Sequence, residues 1–284
     1  MIFRYQIEET ITVKDYLIQN KIPSNVLTSL KSSNGQILVN DQSVTMIYLM
    51  HKGDLLEVVF PSSSQGENIK SVKGDLDILY EDSYLLIVNK PNNLATIPTR
   101  KHYNNSLANY IMSYYLQNGI EANIHFVSRL DSPTSGIIIL AKNSYMLTLL
   151  QQTNIIKHYI LEVKGIIEND KGLIELGIEK DPNSIIKRRI TNEYINSRTE
   201  YSVISRNNNT TIIDALLCTG KTHQLRLHFS YLGHPIIGDL LYDDENYSEQ
   251  EILRLHSYYV SFVHPITKKQ IEIKNYPIWY KKTS

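Results

Sequence analysis

The chain has a single cysteine, Cys218, among its 284 residues. That excludes an internal disulfide framework and any zinc site built from several cysteines, and it suits a reducing compartment. Nowhere do roughly 18 apolar residues run together, so no membrane span is expected. The opening residues, Met1–Glu9, lack the apolar stretch of a signal peptide, and the expectation is a soluble, cytoplasmic protein. Charge of one sign is missing as well, since 29 Lys plus Arg balance 29 Asp plus Glu. Any contact with phosphate must therefore come from local patches, such as Lys187-Arg188-Arg189 or the surroundings of Lys221 and Arg226. The glycine fingerprints of phosphate loops and dinucleotide folds are absent, and so is a Gly-x-Ser-x-Gly nucleophile elbow. His223 and His228 are too far apart in sequence to share a helix face as an i, i+4 metal pair.

What is present is material for a real core: 42% of the residues are hydrophobic. Residues 1–60 read as a small unit, with a partly helical stretch over 12–31 and strand-like segments at Gln36–Asn40 and Asp54–Phe60. The polar run from Pro61 to Asn68 reads as a linker, which places a boundary within 61–74 and a larger domain over 75–284. In that domain Ile78–Asn89 carries two apolar runs around Glu81-Asp82-Ser83, the pattern of a hairpin. Ile137–Ala141 is a β-branched strand, and Ser144 is placed to cap a helix over 145–152. Lys157–Gly165 alternates with Tyr159, Leu161 and Val163 on one face, and Thr210–Cys218 is a further strand that buries Cys218 as a small apolar side chain. Strands without a regular βαβ rhythm predict an α+β domain with a mixed or mainly antiparallel sheet.

Two segments can carry chemistry. In Ser128-Arg129-Leu130-Asp131-Ser132-Pro133-Thr134-Ser135-Gly136 an extended backbone puts Arg129 and Asp131 on one face and Leu130 on the other. An acid and a base then open onto one cleft, although an Asp before Ser-Pro equally serves an Asx-turn. In the second segment, Thr219 to Pro235, Gly220 permits a tight turn and Thr222 is a good N-cap. Leu225, Phe229 and Leu232 form an apolar stripe, with Arg226 at its edge. The helix start with Lys221 can hold a phosphate. Tyr159 fits either a core or a base-stacking role.

Taken together, these segments resemble the RluA-type pseudouridine synthases from about Ile78 to about Ile273. The family's Arg-Leu-Asp-x-x-Thr-Ser-Gly signature stands here as Arg129 to Gly136, followed by an apolar strand and Ala141-Lys142. Tyr80-Glu81-Asp82, Val88-Asn89-Lys90-Pro91, Lys157-His158-Tyr159, Thr219 to His228, Gly233-His234-Pro235, Gly238-Asp239, Leu241-Tyr242, His256 and Phe262 to Pro265 follow the family's order. The resemblance implies a pseudouridine synthase fold with a central cleft and a catalytic carboxylate at Asp131. It implies an ion pair from Arg226 that fixes Asp131, contact of Tyr159 with the target base, and a nucleotide-holding role for Arg129. It also implies substrate contacts from Lys221, Thr222 and Leu227. The substrate is expected to be structured RNA, ribosomal or transfer, with no metal, no organic cofactor and no obligatory protein partner. Residues 1–60 are similar to an S4-type RNA-binding domain through Asn34 to Asn40 and His51 to Asp54. Two positions depart from the family: Ser128 stands where many members have His, and Asn92-Asn93 replaces the usual Gly after Lys-Pro. A non-catalytic RNA-binding protein on the same fold and a hydrolase of small nucleosides are the rival readings.

Overall fold

A computed structural model of the chain describes residues 2–20, 22, 35–59, 69–99, 103–243 and 251–281. Its centre is a mixed sheet of eleven strands. Strand Ser135–Ala141, with the sequence Ser-Gly-Ile-Ile-Ile-Leu-Ala, is buried along its whole length, as a β-branched run between two covered faces should be. Its side chains alternate between two cores: Ile138 and Leu140 face one, and Ile137, Ile139 and Ala141 the other. Strand Leu85–Lys90 repeats the pattern, with Leu86 and Val88 in the first core and Leu85 and Ile87 in the second. Helices Leu107–Gln117 and Gln224–Tyr231 cover the first face, through Leu107, Ile111 and Tyr115 and through Leu225 and Phe229. Helix Ser144–Gln152 covers the second through Met146 and Leu150.

The expected hairpin is formed by Asp77–Glu81 and Leu85–Lys90, paired antiparallel. Strand Ile156–Lys164 presents Tyr159, Leu161 and Val163 to the first core, and Thr210–Leu217 pairs with it antiparallel. The named strands of the sheet pair antiparallel at every junction except one. Ser135–Ala141 runs parallel to Leu255–Val263, with Ser135 opposite His256 and Gly136 opposite Ser257. Only glycine fits that crossing, because Gly136 sits at φ +117° and a Cβ there would lie 2.3 Å from the Ser257 carbonyl oxygen.

Several expectations change. Asn143, not Ser144, caps the helix before Gln152, its side chain accepting from Met146 N–H at 2.7 Å. Helix Gln224–Tyr231 begins two residues after Thr222, with His223 at the cap position in a left-handed conformation. Cys218 is exposed: strand Thr210–Leu217 buries Thr211, Ile213 and Ala215, so the two-residue period puts position 218 on the opposite face, and the strand ends just before it.

The N-terminal unit builds a four-stranded sheet around Leu55–Val59, and Thr12 caps helix Val13–Gln19. The part of the expected helical stretch over 23–31 lies outside the described residues, as do residues 61–68 of the expected linker. Residues 70–74 are fastened to helix Leu107–Gln117, where Val72 N–H donates to Asn109 O at 3.2 Å and Asn109 Nδ2 to Lys70 O at 2.7 Å. The unit also docks on helix Ser144–Gln152. The Phe3 ring meets Tyr145 edge-on at 4.7 Å, and the hydroxyls of Tyr5 and Tyr145 lie 2.8 Å apart. A buried aromatic pair of this kind adds about 0.5–1.5 kcal/mol beyond its buried area. No helix among the described residues is long and apolar enough to cross a membrane.

Candidate active site

The segment Arg129-Leu130-Asp131 enters the strand Ser135–Ala141 through a tight turn closed by Thr134 N–H on Asp131 O at 3.1 Å. Leu130 is buried, Arg129 is exposed and the Asp131 side chain is 29% accessible, as the alternation predicts. Among the described residues the Asp131 carboxylate accepts no hydrogen bond, so the turn is a backbone turn rather than an Asx-turn. The carbonyls around it are held in succession. Thr96 Oγ1 donates to Leu130 O at 2.7 Å, Lys90 Nζ to Ser132 O at 3.0 Å, and Asn92 Nδ2 to Pro133 O at 2.7 Å. The backbone carrying Asp131 is therefore clamped by the segment that follows the hairpin.

Lys90 is fully buried and gives its other two N–H bonds to Pro91 O and Leu94 O, at 2.9 and 2.8 Å. Burial pushes its ammonium down to about 7, while the negative charge of Asp131 works the other way. Asn93 takes the left-handed conformation, φ +60°, that its Asn identity allows. Asn92 does more than fill a turn, since it ties Pro133 to the neighbouring Leu253 carbonyl, 3.2 Å away. Behind the turn, Ser135 Oγ lies 2.8 Å from His256 Nδ1, and His256 Nε2 is 3.0 Å from Asn275 O. A carbonyl only accepts, so Nε2 carries the proton and Nδ1 accepts from the serine. Burial pushes this histidine down to about 4, which keeps it neutral.

Facing Asp131 is the start of helix Gln224–Tyr231. Gln224 fixes the preceding turn, its Oε1 accepting from Lys221 N–H and Thr219 Oγ1, while its Nε2 donates to Arg198 O and Thr199 Oγ1. The guanidinium of Arg226, 3% accessible, makes a two-pronged pair with Asp239, Nε to Oδ2 at 2.8 Å and Nη2 to Oδ1 at 2.6 Å. Its third nitrogen, Nη1, is 3.8 Å from Asp131 Oδ2. Arg226 is thus anchored to Asp239, an acid with no accessible side-chain surface, and only faces Asp131. Burial opposes its charge, but the hydrogen bonds and charge of Asp239, with Asp131 behind them, hold its pKa above the ordinary arginine value.

A cleft of about 620 Å³ opens between these parts. Asp131, Arg226, Tyr159, Arg129, Lys221 and Thr222 all line it. Leu227 does not: it is buried, because the helix turn that aims Arg226 at the cleft carries the next residue away from it. Tyr159 is 7% accessible, with its hydroxyl against Ser257; burial first, then the charge of Asp131, pushes its pKa up to about 12. Ser128 lines the cleft in the family's histidine position, whereas His125 sits opposite Ala141 in a short strand and does not reach it. Of the basic triplet, Arg189 is paired with Glu179 at 2.7 Å, and Arg188 reaches the site through its backbone N–H, which donates to the Tyr242 hydroxyl at 2.9 Å. Lys90, Asn92, Thr96, His223, Asp239 and Tyr242 were not singled out as site residues from sequence, although Lys90-Pro91, His223, Gly238-Asp239 and Leu241-Tyr242 stood inside family motifs.

The family model described as RNA pseudouridylate synthase matches residues 84–231, which hold both sides of this cleft. An uncharacterised RNA pseudouridine synthase of Bacillus subtilis, YjbO, is 38% identical over 267 residues, covering 92% of this chain and 93% of its own. The chain belongs to the RluA-type RNA pseudouridine synthases. The dual-specificity RNA pseudouridine synthase RluA of Vibrio cholerae is 34% identical over 198 residues, 67% of this chain and 78% of that one. In architecture the chain is similar to human RNA pseudouridylate synthase domain containing 1, with a TM-score of 0.59 and 22% identity over 72% of this chain and 85% of the human one. As a pseudouridine synthase the chain is an isomerase that acts on RNA, and the expected mixed sheet with its central cleft is the fold observed.

Proposed function

We propose that this synthase converts uridine to pseudouridine in structured RNA, ribosomal or transfer, on a nucleotide flipped into the cleft, with Asp131 as the catalytic carboxylate. The observation that carries the reading is Asp131 itself: a partly exposed carboxylate without a hydrogen-bond partner among the described residues, on a clamped turn, opposite a guanidinium anchored elsewhere. A carboxylate that is free yet held still suits attack on a substrate carbon. The reaction breaks the N1–C1′ bond, turns the uracil in the cleft and joins C5 to C1′; N1 gains a proton and C5 loses one. Asp131 acts by adding to C6, by adding to C1′, or by removing a sugar proton to give a glycal. Arg226 faces and orients the carboxylate, Tyr159 supports the uracil ring, and Arg129 fills the place the base has left. Lys221 and Thr222, at the cleft rim, contact the RNA backbone. Residues 1–60, read as an S4-like unit, orient the RNA from their docked position, and the enzyme works in the cytoplasm.

The test is a map of pseudouridine in total RNA from cells with and without the gene, complemented by wild-type or Asp131→Asn protein. Marks that disappear on deletion and return only with the wild type support the reading and name the target. Restoration by Asp131→Asn would remove Asp131 from the mechanism. Consumption of free uridine or UMP, with RNA untouched, would favour the nucleoside hydrolase.

A further inference from the structure

His223 stands between the catalytic turn and the anchored arginine, with its Nε2 3.7 Å from Asp131 Oδ2 and its side chain 9% accessible. It holds a left-handed backbone, φ +59°, a conformation that a non-glycine residue keeps only where its surroundings impose it. Its other nitrogen, Nδ1, lies 2.7 Å from the Tyr242 hydroxyl. That hydroxyl already accepts the Arg188 N–H at 2.9 Å, so its own proton is free to go to Nδ1. An Nδ1 that accepts leaves the ring proton on Nε2, the nitrogen that faces Asp131.

We propose that His223 is a positioning residue: the Arg188–Tyr242 relay locks its neutral Nε2–H tautomer, and that N–H, with Arg226 Nη1, holds Oδ2 of Asp131 so that Oδ1 is the oxygen that reacts. The inference deepens the proposed function and rests on Asp131 being the catalytic carboxylate. Both Nε2 and Nη1 have Oδ2 as their nearest Asp131 oxygen, at 3.7 and 3.8 Å. Closing to a normal hydrogen bond requires a shift of only about 0.8 Å, the kind of tightening that follows substrate binding. The neutral form is favoured by the surroundings. Burial acts first to lower the histidine pKa, Asp131 and Asp239 pull it up, and Arg226 and Arg188 push it down, for a net lowering. A cationic ring would put a second proton on Nδ1 and break the bond from Tyr242. Tyr242 also packs on Arg226, whose Cζ is 5.3 Å from its ring centre, so Tyr242→Phe removes the hydroxyl and keeps the ring against the guanidinium.

The experiment uses the full chain and bulk RNA from cells lacking the gene, labelled with [5-³H]uridine, so that turnover is read as tritium released from C5. His223→Phe is expected to lower kcat by about 10- to 100-fold with KM for RNA unchanged, the pattern of an interaction realised in the transition state. Tyr242→Phe, which frees the tautomer without removing the ring, is expected to lower kcat by about 5-fold, the weight of one neutral hydrogen bond. The double variant should be no slower than His223→Phe alone, because the relay has nothing left to orient. Wild-type kcat in His223→Phe, or effects of the two substitutions that multiply, would overturn the proposal. Nitrogen-15 spectra of the histidine-labelled wild type provide a reading that needs no variant: a protonated Nε2 with bare Nδ1 at neutral pH is expected, and the opposite tautomer overturns the inference. Asp131→Asn, run beside these, separates the two readings. If it retains tritium release the carboxylate assignment fails; if it is inactive while His223→Phe is at wild-type rate, only the role of His223 fails.

Discussion

Replacing Arg226 with methionine separates its structural partner, Asp239, from the proposed catalytic one, Asp131. The substitution keeps length and apolar stem but removes a guanidinium that donates twice to Asp239, whose side chain has no accessible surface. Asp239 keeps two backbone donors, Leu241 N–H at 2.9 Å and Tyr242 N–H at 3.2 Å, both on Oδ1, while Oδ2 loses its donor. Removing one member of a buried ion pair costs about 3–5 kcal/mol, because the remaining charge stays desolvated. In a domain of this size that is a fall in Tm of about 6 to 20 °C. The effect on Asp131 alone would be small, since at 3.8 Å and 29% accessibility its interaction with Arg226 is screened by water. The decisive measurement is thermal unfolding of Arg226→Met beside the double variant Arg226→Met/Asp239→Asn, whose neutral amide oxygen still accepts the two backbone N–H bonds. The double variant is expected to regain at least about 2 kcal/mol of the loss, as buried pairs replaced on both sides commonly do, while tritium release stays near the level of Arg226→Met. A Tm within 2 °C of wild type for Arg226→Met, or no recovery in the double variant, would refute the anchoring role of Asp239.

Lys90→Met is expected to slow turnover by about 10-fold or more, since Ser132 O and Leu94 O lose their donor and the Asp131 turn loosens. With the buried ammonium at about 7 and an unfolded lysine near 10.4, the unfolded chain binds more protons between those values. Stability of the wild type relative to Lys90→Met should therefore rise with pH above about 7, by at most about 1.4 kcal/mol per unit, and level off below it. Urea unfolding of both proteins at pH 7 and 9 reads this difference, and a flat result means that the three carbonyls keep the proton on throughout. Gly136→Ala drives a methyl into the Ser257 backbone at a left-handed position and is expected to cost at least about 3 kcal/mol; a soluble variant with unchanged urea midpoint would contradict that close crossing.

Much of this molecule could be read along the chain because its strands advertise themselves locally. Ile137–Ala141 and Tyr159–Val163 alternate between faces as their composition requires, and the hairpin Asp77–Lys90 follows from two apolar runs and a polar turn. Helix Leu107–Gln117 is not legible in the sequence, because three tyrosines, Ile111, Asn109 and Ser113 are weak helix formers interspersed among its stronger ones. It stands by virtue of the Ser106 cap and the sheet beneath it. Cys218 and Thr222 were misjudged at element ends, where one residue decides whether a side chain points in or out.

The sequence by itself determined the family and the alternation that exposes Asp131 beside Arg129, because these depend on a short motif and a two-residue period. It also placed Arg226 and Tyr159 near that acid by resemblance. Only the tertiary structure decided who holds whom. Asp239 rather than Asp131 is the anchor of Arg226, although the two acids stand on opposite sides of it in sequence. Lys90, Asn92 and Thr96 reach some forty residues along the chain to clamp the turn that carries Asp131. The Arg188–Tyr242–His223 relay joins three separate segments. The physical reason is the same in each case: a hydrogen bond is chosen by direction and distance to within about 0.5 Å, and residues distant in sequence acquire both only when the sheet is assembled.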